Sequence, residues 1–207
     1  LTFFNSKGNF RGITADLLEM IRLRTGLRFE IQRAHSLRSM IRMVNQHETD
    51  IIAAINPSIS REDALNFSRP YLVNSFVLLT AKGHDQPTSL EQLSGKKLAL
   101  PNGNPLTEYL RSEYPQITLV ETEDIHGATE LLAEGQVQGA VSTLVIANYL
   151  LSSDLFQDRL QISATIGTQQ AAFSLATARD ATELGSILNK ALLSIAPDEL
   201  GIINSRW

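Results

Sequence analysis

Apolar and polar positions follow two alternating periods along the chain, one typical of helices and one typical of strands. Helical spacing predicts helices at residues 14–25, 37–44, 106–113, 125–134, 144–151 and 184–195. Alternating or continuous apolar runs predict strands at 27–32, 50–55, 76–81, 97–100, 117–121, 139–142, 160–164 and 171–177. Because helices and strands alternate, we expect an α/β fold with largely parallel sheets.

The pattern also predicts two lobes. Residues 82–89, with the sequence KGHDQPTS, interrupt the first α/β unit and are typical of a connection. A second unit follows, and the last forty residues return to the first pattern. We therefore expect lobe 1 to comprise 1–83 and 168–207, with lobe 2, residues 84–167, inserted between two crossings. A cleft between hinged lobes is a preferred place for a ligand.

Composition excludes several kinds of function. The net charge is −4 and basic residues do not cluster, which argues against a nucleic-acid partner. No apolar run is long enough to cross a bilayer, and without a signal peptide the chain is expected to be part of a longer protein. Cysteine is absent and the four histidines are scattered, so we expect no metal and no cofactor. Neither a GxSxG elbow nor a phosphate-binding loop is present.

The most informative polar residues follow the buried strand at 50–55. Asn56, Ser58 and Ser60 can donate hydrogen bonds there, at the strand end where open α/β sheets bind ligands. Arg61 offers a planar guanidinium that matches a carboxylate. The alternative is that Arg61 is a surface residue paired with Glu62 or Asp63.

The same stretch, SREDALNFSRPY, resembles the signature of the family 3 extracellular solute-binding proteins. In that signature an arginine is followed after six residues by an aromatic, then by a serine and a Pro-Tyr pair. The matching residues here are Arg61, Phe67, Ser68, Pro70 and Tyr71. The segments GITADLLEMI and LSGKKLALPNGNPLTEYL resemble further parts of the family pattern, so the resemblance covers the whole chain. Within the family, the sequence most resembles the flytrap sensor domains of hybrid histidine kinases of the virulence-sensor type.

The resemblance implies a periplasmic-binding-protein-like (Venus flytrap) fold, with two α/β lobes joined by a two-crossing hinge. It also implies that the first strand of lobe 1 lies upstream of residue 1. The ligand-binding residues that it implies are Arg61, Asn56, Ala54, Ser58 and Tyr71 in lobe 1, and Gly103, Asn104, Ser142 and Thr143 in lobe 2.

Two departures from the family pattern bear on the ligand. Pro105 removes one N–H donor from the lobe 2 turn. Thr143 stands where the amino-acid binders of the family place an aspartate for the ligand ammonium, and a neutral hydroxyl cannot balance a buried cation. We therefore expect a small anionic or carboxylate solute rather than an ordinary amino acid.

The expected function is that of a periplasmic ligand-sensing domain of a membrane-bound histidine kinase, signalling by lobe closure. Its expected partners are the solute and the transmembrane helix and kinase of the same polypeptide, and a homodimer through the parent receptor is compatible with this. Trp207 suits a membrane interface, although packing on lobe 1 explains it equally well. The nearer alternative is a free solute-binding receptor of an ABC transporter. A more distant one is a periplasmic dehydratase, for which His126 and Glu108 are the candidate acids or bases and no catalytic partner is evident.

Overall fold

The computed structural model describes residues 1–4 and 7–207, and its contacts divide the chain into two compact units. Unit 1 comprises Leu1–Leu72 and Ala172–Trp207, and unit 2 comprises Val73–Ala171. The chain therefore passes between the units twice. The lobe bounds expected from the sequence, at 83/84 and 167/168, are not tested by this division into units and stay a prediction.

Unit 1 combines short strands with longer helices. In chain order its first part contains β1 (Phe3–Phe4), β2 (Phe10–Arg11), α1 (Ile13–Thr25), α2 (Leu37–Asn45), β3 (Ile52–Ile55), α3 (Ile59–Glu62) and β4 (Leu65–Phe67). The chain then enters unit 2 and returns for the last two helices of the fold, described below.

Unit 2 begins along β5 (Leu72–Ala81). It continues with a 3-10 turn (Glu91–Leu93), β6 (Lys97–Pro101), α4 (Thr107–Glu113), β7 (Thr118–Thr122), α5 (Ile125–Ala133), β8 (Gly139–Thr143), α6 (Leu144–Leu151) and β9 (Leu160–Ala178). Strand β9 carries the chain back into unit 1, where α7 (Thr182–Ser194) and α8 (Pro197–Arg206) complete the fold.

The helix ends follow local chemistry. Ser36 caps α2 as predicted, since its hydroxyl accepts the Ser39 N–H at 3.1 Å. Gly26 ends α1 in the left-handed conformation, with a φ of 76° that favours glycine. Helix α8 begins with Pro197, and the carboxylate of Glu199 accepts the preceding backbone N–H of Ala196 at 2.8 Å.

In unit 1 the carboxyl-terminal part of β9 lies between β3 and β4 and pairs antiparallel with both. Helix α2 packs against these strands through a cluster of Val44, Ile52, Ile55, Leu65, Ala176 and Ala178. Helix α1 buries Leu17 and Ile21 and packs on α7 and α8. The turn that follows β3 is thus attached to a well-packed sheet.

In unit 2 the strand β6 pairs in parallel with β7 and β8, and β5 pairs antiparallel with β8. One face of this sheet is covered by α4 and carries Phe76, Leu78, Leu98, Leu100 and Val141. The other face carries Val77, Leu79, Ala99 and Ala140, and packs against α5 and α6. The carboxyl ends of three parallel strands meet at one edge, where we expect binding residues in open α/β sheets.

Three expectations about the strands were wrong. Residues 27–32 alternate like a strand, but they form none, because no described strand lies alongside to accept their hydrogen bonds. The sheets are mixed, since within the described residues β1–β2, β3–β9, β4–β9 and β5–β8 pair antiparallel, and β6 pairs in parallel with β7 and β8. The segments at 160–164 and 171–177 are parts of one strand, β9, because the polar residues between them stay extended although exposed.

Helix α8 is attached to α1 by polar contacts at both ends. Arg24 of α1 binds the Glu199 carboxylate with two bonds of 2.7 and 2.8 Å. At the other end Asp16 accepts hydrogen bonds from Arg206 at 2.9 Å and from the Trp207 indole at 3.1 Å. Trp207 thus contacts α1 while half of its surface stays exposed. Within the described part of the chain, every helix is too short or too polar to span a bilayer.

Candidate functional site

The polar turn after β3 presents Arg61 from a single helical turn. Ser58 precedes α3, and its carbonyl accepts the Arg61 N–H at 2.9 Å and the Glu62 N–H at 3.0 Å. This turn folds the chain back so that the Arg61 side chain lies against the turn rather than in solvent, with only 7% of the residue exposed. The alternative of a surface arginine is therefore wrong.

The guanidinium of Arg61 is held by the turn itself. Its Nη1 donates to the backbone carbonyl of Asn56 at 2.8 Å. Burial lowers the pKa of Arg61 to about 10, because desolvation disfavours the charged form. The side chain still carries its proton at neutral pH. A buried guanidinium held in a fixed orientation can bind a carboxylate with two parallel N–H···O bonds.

Asn56 connects this turn to β9. Its side-chain amide donates to the Ala172 carbonyl at 2.6 Å, while its backbone carbonyl accepts the hydrogen bond from Arg61. The Ser58 hydroxyl lies 3.1 Å from the Ser60 hydroxyl, and Ala54 is half-buried in β3. The structure thus brings these predicted residues together at the carboxyl end of β3, and their contact with a ligand stays a prediction.

Tyr71 has a different environment. It is 4% exposed, and its hydroxyl donates to the Ala53 carbonyl at 2.9 Å and accepts from Thr14, also at 2.9 Å. Burial raises the pKa of the Tyr71 phenol, so it stays neutral. Its hydroxyl connects α1 to β3, and its predicted contact with a ligand is not needed to explain its position.

In unit 2 the turn after β6 is stabilised by its own residues. Gly103 has a φ of 69°, the left-handed region that glycine tolerates. The Asn104 side chain accepts the Leu106 N–H at 2.9 Å, and its carbonyl accepts the Thr107 N–H at 3.0 Å. Asn104 thus stabilises the turn before α4, and its own N–H, which was expected to face a ligand, donates to the Pro101 carbonyl at 3.1 Å.

Ser142 and Thr143 lie on opposite faces of the unit 2 sheet. In the β5–β8 register Thr143 pairs with Phe76, and Ser142 pairs with Val77. Because cross-strand partners share a face, Thr143 lies on the α4 face and Ser142 on the α5 face. Ser142 donates to the Thr143 carbonyl at 3.3 Å. The structure therefore separates two side chains that the sequence treats as neighbours.

Thr143 has buried polar companions that the sequence did not identify. The polar side-chain atoms of Asn74 and Thr107 are, like the hydroxyl of Thr143, closed off from solvent and lack a hydrogen-bond partner among the described residues. Asn74 lies three residues after the end of the signature stretch at Tyr71 and breaks the apolar run of β5. A polar residue in a run predicted to be buried was the signal that could have found it.

The candidates for acid–base chemistry do not form a catalytic arrangement. His126 pairs with Glu130 on the same helix at 3.1 Å, with both side chains more than half exposed. Glu108 binds Arg111 at 2.9 Å on the exposed surface of α4. No cluster of three potential metal ligands occurs among the residues that the structure describes.

Comparison with known proteins extends these observations. The model of the bacterial extracellular solute-binding proteins, family 3, matches residues 1–207. The virulence sensor protein BvgS of Bordetella pertussis is 37% identical over 206 residues, which is 100% of this chain and 17% of that protein. The sensor protein EvgS of Escherichia coli K12 is 27% identical over 204 residues, 98% of this chain and again 17% of the relative. The chain thus spans about a sixth of these sensor proteins.

The solved structures agree. The crystal structure of the Bordetella pertussis BvgS periplasmic VFT2 domain superposes with a TM-score of 0.93 at 37% identity, covering 100% of this chain and 87% of that one. The prediction of an α/β Venus flytrap fold is confirmed by this match.

Proposed function

Because the chain belongs to the bacterial extracellular solute-binding proteins of family 3, we propose that it binds a small anionic solute through Arg61 and serves as the sensing domain of a membrane-bound histidine kinase. The first half of this proposal concerns the ligand, and the second concerns the protein of which the domain is part.

Two properties of the domain follow from its relatives directly. It is a periplasmic domain, as is the BvgS VFT2 domain that it matches over its whole length. It is a binding domain rather than an enzyme, since its similarity to the sensor domains is higher and more complete than its similarity to lytic transglycosylases.

The observation that carries the anionic ligand is the environment of Arg61. A guanidinium is placed at the carboxyl end of a buried strand, 7% exposed and oriented by the Asn56 carbonyl. A charge-assisted hydrogen bond to such a group contributes about 1.5–3 kcal/mol. Since burial already disfavours the charged form, an incoming carboxylate recovers part of that cost.

Thr143 argues against an ordinary amino acid. The family resemblance assigns this position to the ligand ammonium, and a threonine hydroxyl supplies no negative charge. The solute that we propose is therefore a carboxylate without a counter-charged ammonium at that end. In the proposed mechanism the solute binds the closed form of the two lobes more tightly than the open form, and so shifts the population toward closure.

The experiment measures melting temperature with a panel of small carboxylates from acetate to succinate, together with glutamate. The wild type is compared with Arg61→Met and with Arg38→Met, an exposed arginine of α2 that serves as the matched control. At a solute concentration of about 100 times Kd, binding adds roughly 2.7 kcal/mol, or about 5–10 °C for a domain of this size. We expect this shift in the wild type and in Arg38→Met, and its loss in Arg61→Met. An equal shift in Arg61→Met contradicts the assigned site, and a panel without any shift contradicts the anionic ligand.

The sensor role is tested with the full-length parent protein in membranes. The solute identified above should change the rate of autophosphorylation of the wild type and leave an Arg61→Met parent unaffected. A solute that binds the domain and never changes phosphorylation would favour the alternative of a transport receptor.

A further inference from the structure

Three side chains of unit 2 share an unusual state. The amide nitrogen and oxygen of Asn74, the Thr107 hydroxyl and the Thr143 hydroxyl are all closed off from solvent and have no hydrogen-bond partner among the described residues. Buried polar groups nearly always have a partner, and leaving one unpaired is destabilising. Three such residues in a single unit of the fold therefore require an explanation.

Asn74 and Thr143 lie on the same face of the sheet. Thr143 pairs directly with Phe76 across the antiparallel β5–β8 register. Asn74 is two residues before Phe76 on β5, and side chains two apart along a strand point to the same side. Both polar residues therefore belong to the face that carries Phe76 and Val141 in its apolar cluster.

Thr107 belongs to the helix that covers this face. It is the first residue of α4, and the flanking Leu106 and Leu110 of the same segment are fully buried in the cluster that contains Phe76. Thr107 itself is 8% exposed. Its hydroxyl is therefore enclosed between the start of α4 and the rest of unit 2.

The strand directions bring the three residues to one edge. Thr143 is the last residue of β8, and α4 follows the carboxyl end of β6, which is the parallel neighbour of β8. Strand β5 runs antiparallel to β8, so Asn74, near its beginning, lies at the same edge. All three groups are therefore located where the parallel strands of unit 2 end.

The chemistry of this set is uncharged. A carboxamide both donates and accepts, and each hydroxyl does the same. The charged residues of α4 are engaged elsewhere, since Glu108 binds Arg111 and Arg111 binds Glu121 at 2.6 Å, with Glu108 and Arg111 largely exposed. Asn74, Thr107 and Thr143 themselves supply hydrogen bonds but no charge, so burying a charged group against them alone would be costly.

We propose that Asn74, Thr107 and Thr143 form a polar subsite in unit 2 that binds an uncharged hydrogen-bonding group of the solute, a hydroxyl or a carboxamide. This inference rests on the proposed function and specifies the chemistry of the solute beyond its anionic group. Because the polar atoms are closed off, the solute reaches them only after a local rearrangement within unit 2, which is separate from the closure of the two lobes.

The first measurement needs no ligand. Valine has the shape of threonine without the hydroxyl, so Thr107→Val and Thr143→Val remove an unpaired group. Each should raise the melting temperature of the ligand-free protein by about 2–4 °C. The matched control is Thr129→Val, at a buried threonine of unit 2 whose hydroxyl donates to the Ile125 carbonyl at 3.0 Å; this variant should be less stable than the wild type. If bound water already satisfies the two hydroxyls, both site variants lose stability as well, and the proposal fails.

The second measurement compares matched carboxylates of two to four carbons. At each length the terminal carbon carries a hydroxyl, only hydrogen or an ammonium group, as in 4-hydroxybutyrate, butyrate and 4-aminobutyrate. In the wild type and in Thr129→Val we expect a hydroxyl member to bind at least about tenfold more tightly than its two analogues. In the double variant T107V/T143V this preference should fall to about threefold or less. Tightest binding of an ammonium member, or an unchanged preference in the double variant, would overturn the proposal.

The same panel separates this inference from the proposed function. If carboxylate binding depends on Arg61 but shows no preference for a hydroxyl, the subsite is wrong and the anionic site stands. If Arg61→Met keeps a hydroxyl preference that the double variant loses, the subsite stands and the anionic site is wrong. A panel in which no member binds the wild type contradicts both.

Discussion

Replacing Arg61 by methionine is expected to stabilise the ligand-free domain. Methionine keeps an unbranched apolar side chain of similar reach in the buried position and removes the charge. The wild-type guanidinium has its pKa lowered to about 10 by desolvation alone. Because the folded state disfavours the charged guanidinium, the full free-energy cost of burying the charge applies at every pH below about 10. This cost declines as the pH rises from about 10 toward 12.5, the pKa of the unfolded chain.

The magnitude follows from the pKa and the hydrogen bond. The difference between 12.5 and about 10, at 1.36 kcal/mol per pKa unit, corresponds to about 3 kcal/mol against the charged form at pH 7. Arg61→Met also loses the charged bond to the Asn56 carbonyl, which contributes about 1.5 kcal/mol. Because Arg61 makes contacts besides this bond, the net expectation is a gain of at most about 1–2 kcal/mol, or roughly 3–6 °C in melting temperature for a domain of this size.

The assay is thermal and urea unfolding at pH 7 without solute, with Arg38→Met as the control. An exposed arginine on a helix should change stability by less than about 0.5 kcal/mol. A fall of more than about 2 °C in Arg61→Met, with the control unchanged, would refute the reasoning. It would mean that the contacts of Arg61 outweigh the cost of burying its charge, and that the residue is a structural one.

Three further predictions concern packing and acid stability. In a urea titration, Gly139→Ala should lower the free energy of unfolding by about 1–3 kcal/mol, because the new Cβ would lie 2.9 Å from the fully buried Leu78 side chain. The control Gly201→Ala adds a methyl group in open space on a helix and should raise the free energy of unfolding by about 0.4–1 kcal/mol. Tyr71→Phe should lower it by about 1–2 kcal/mol, because the buried Thr14 hydroxyl loses its acceptor, and an unchanged urea midpoint would contradict the observed bond. The pKa of Glu199 is lowered, first by the hydrogen bond from the Ala196 N–H and then by that from Arg24 of α1. The stability that Glu199 contributes is therefore fully present at a pH above the ordinary pKa of 4.5, and it is lost as the pH falls through the lowered pKa. Hydrogen exchange in α8 should therefore accelerate in acid in the wild type and change less in Glu199→Gln, and equal acceleration in both would speak against this role.

Much of the fold was predictable because local chemistry and tertiary packing agree. The helix capped by Ser36 and the helix that ends before Gly26 both form as the sequence indicates. The strand predicted at 27–32 does not form. The alternation of apolar and polar side chains predicts which side chains a strand would bury, but it does not predict whether a neighbouring strand is present to pair with its backbone N–H and C=O groups. Strand direction was mispredicted for a similar reason. Helical connections predict parallel neighbours, but β5 and β9 pair with strands that are distant in sequence.

The part of the candidate site in unit 1 was predictable, because its motif residues lie close together in the sequence and belong to one turn. Arg61 and Asn56 are five residues apart, and a single turn after β3 brings them into contact. The role of Tyr71 was less visible, because its hydroxyl is engaged by Thr14 on α1, 57 residues away. The polar set of unit 2 could not be assembled from the sequence, since Asn74 and Thr143 become neighbours only through the antiparallel register of β5 and β8.

The two proposed sites favour different chemistry, and together they constrain the solute. Unit 1 supplies a buried cation whose pKa is lowered by desolvation, and such a group favours an anionic partner. The polar groups of unit 2 that lack partners are uncharged, and such groups favour a hydroxyl or carboxamide. At the two proposed sites an amino acid would meet the first requirement and fail the second, because Asn74, Thr107 and Thr143 supply no negative charge for its ammonium. A hydroxy acid or an acid amide would meet both, so the two proposed sites together would select between solutes that have the same size and the same carboxylate.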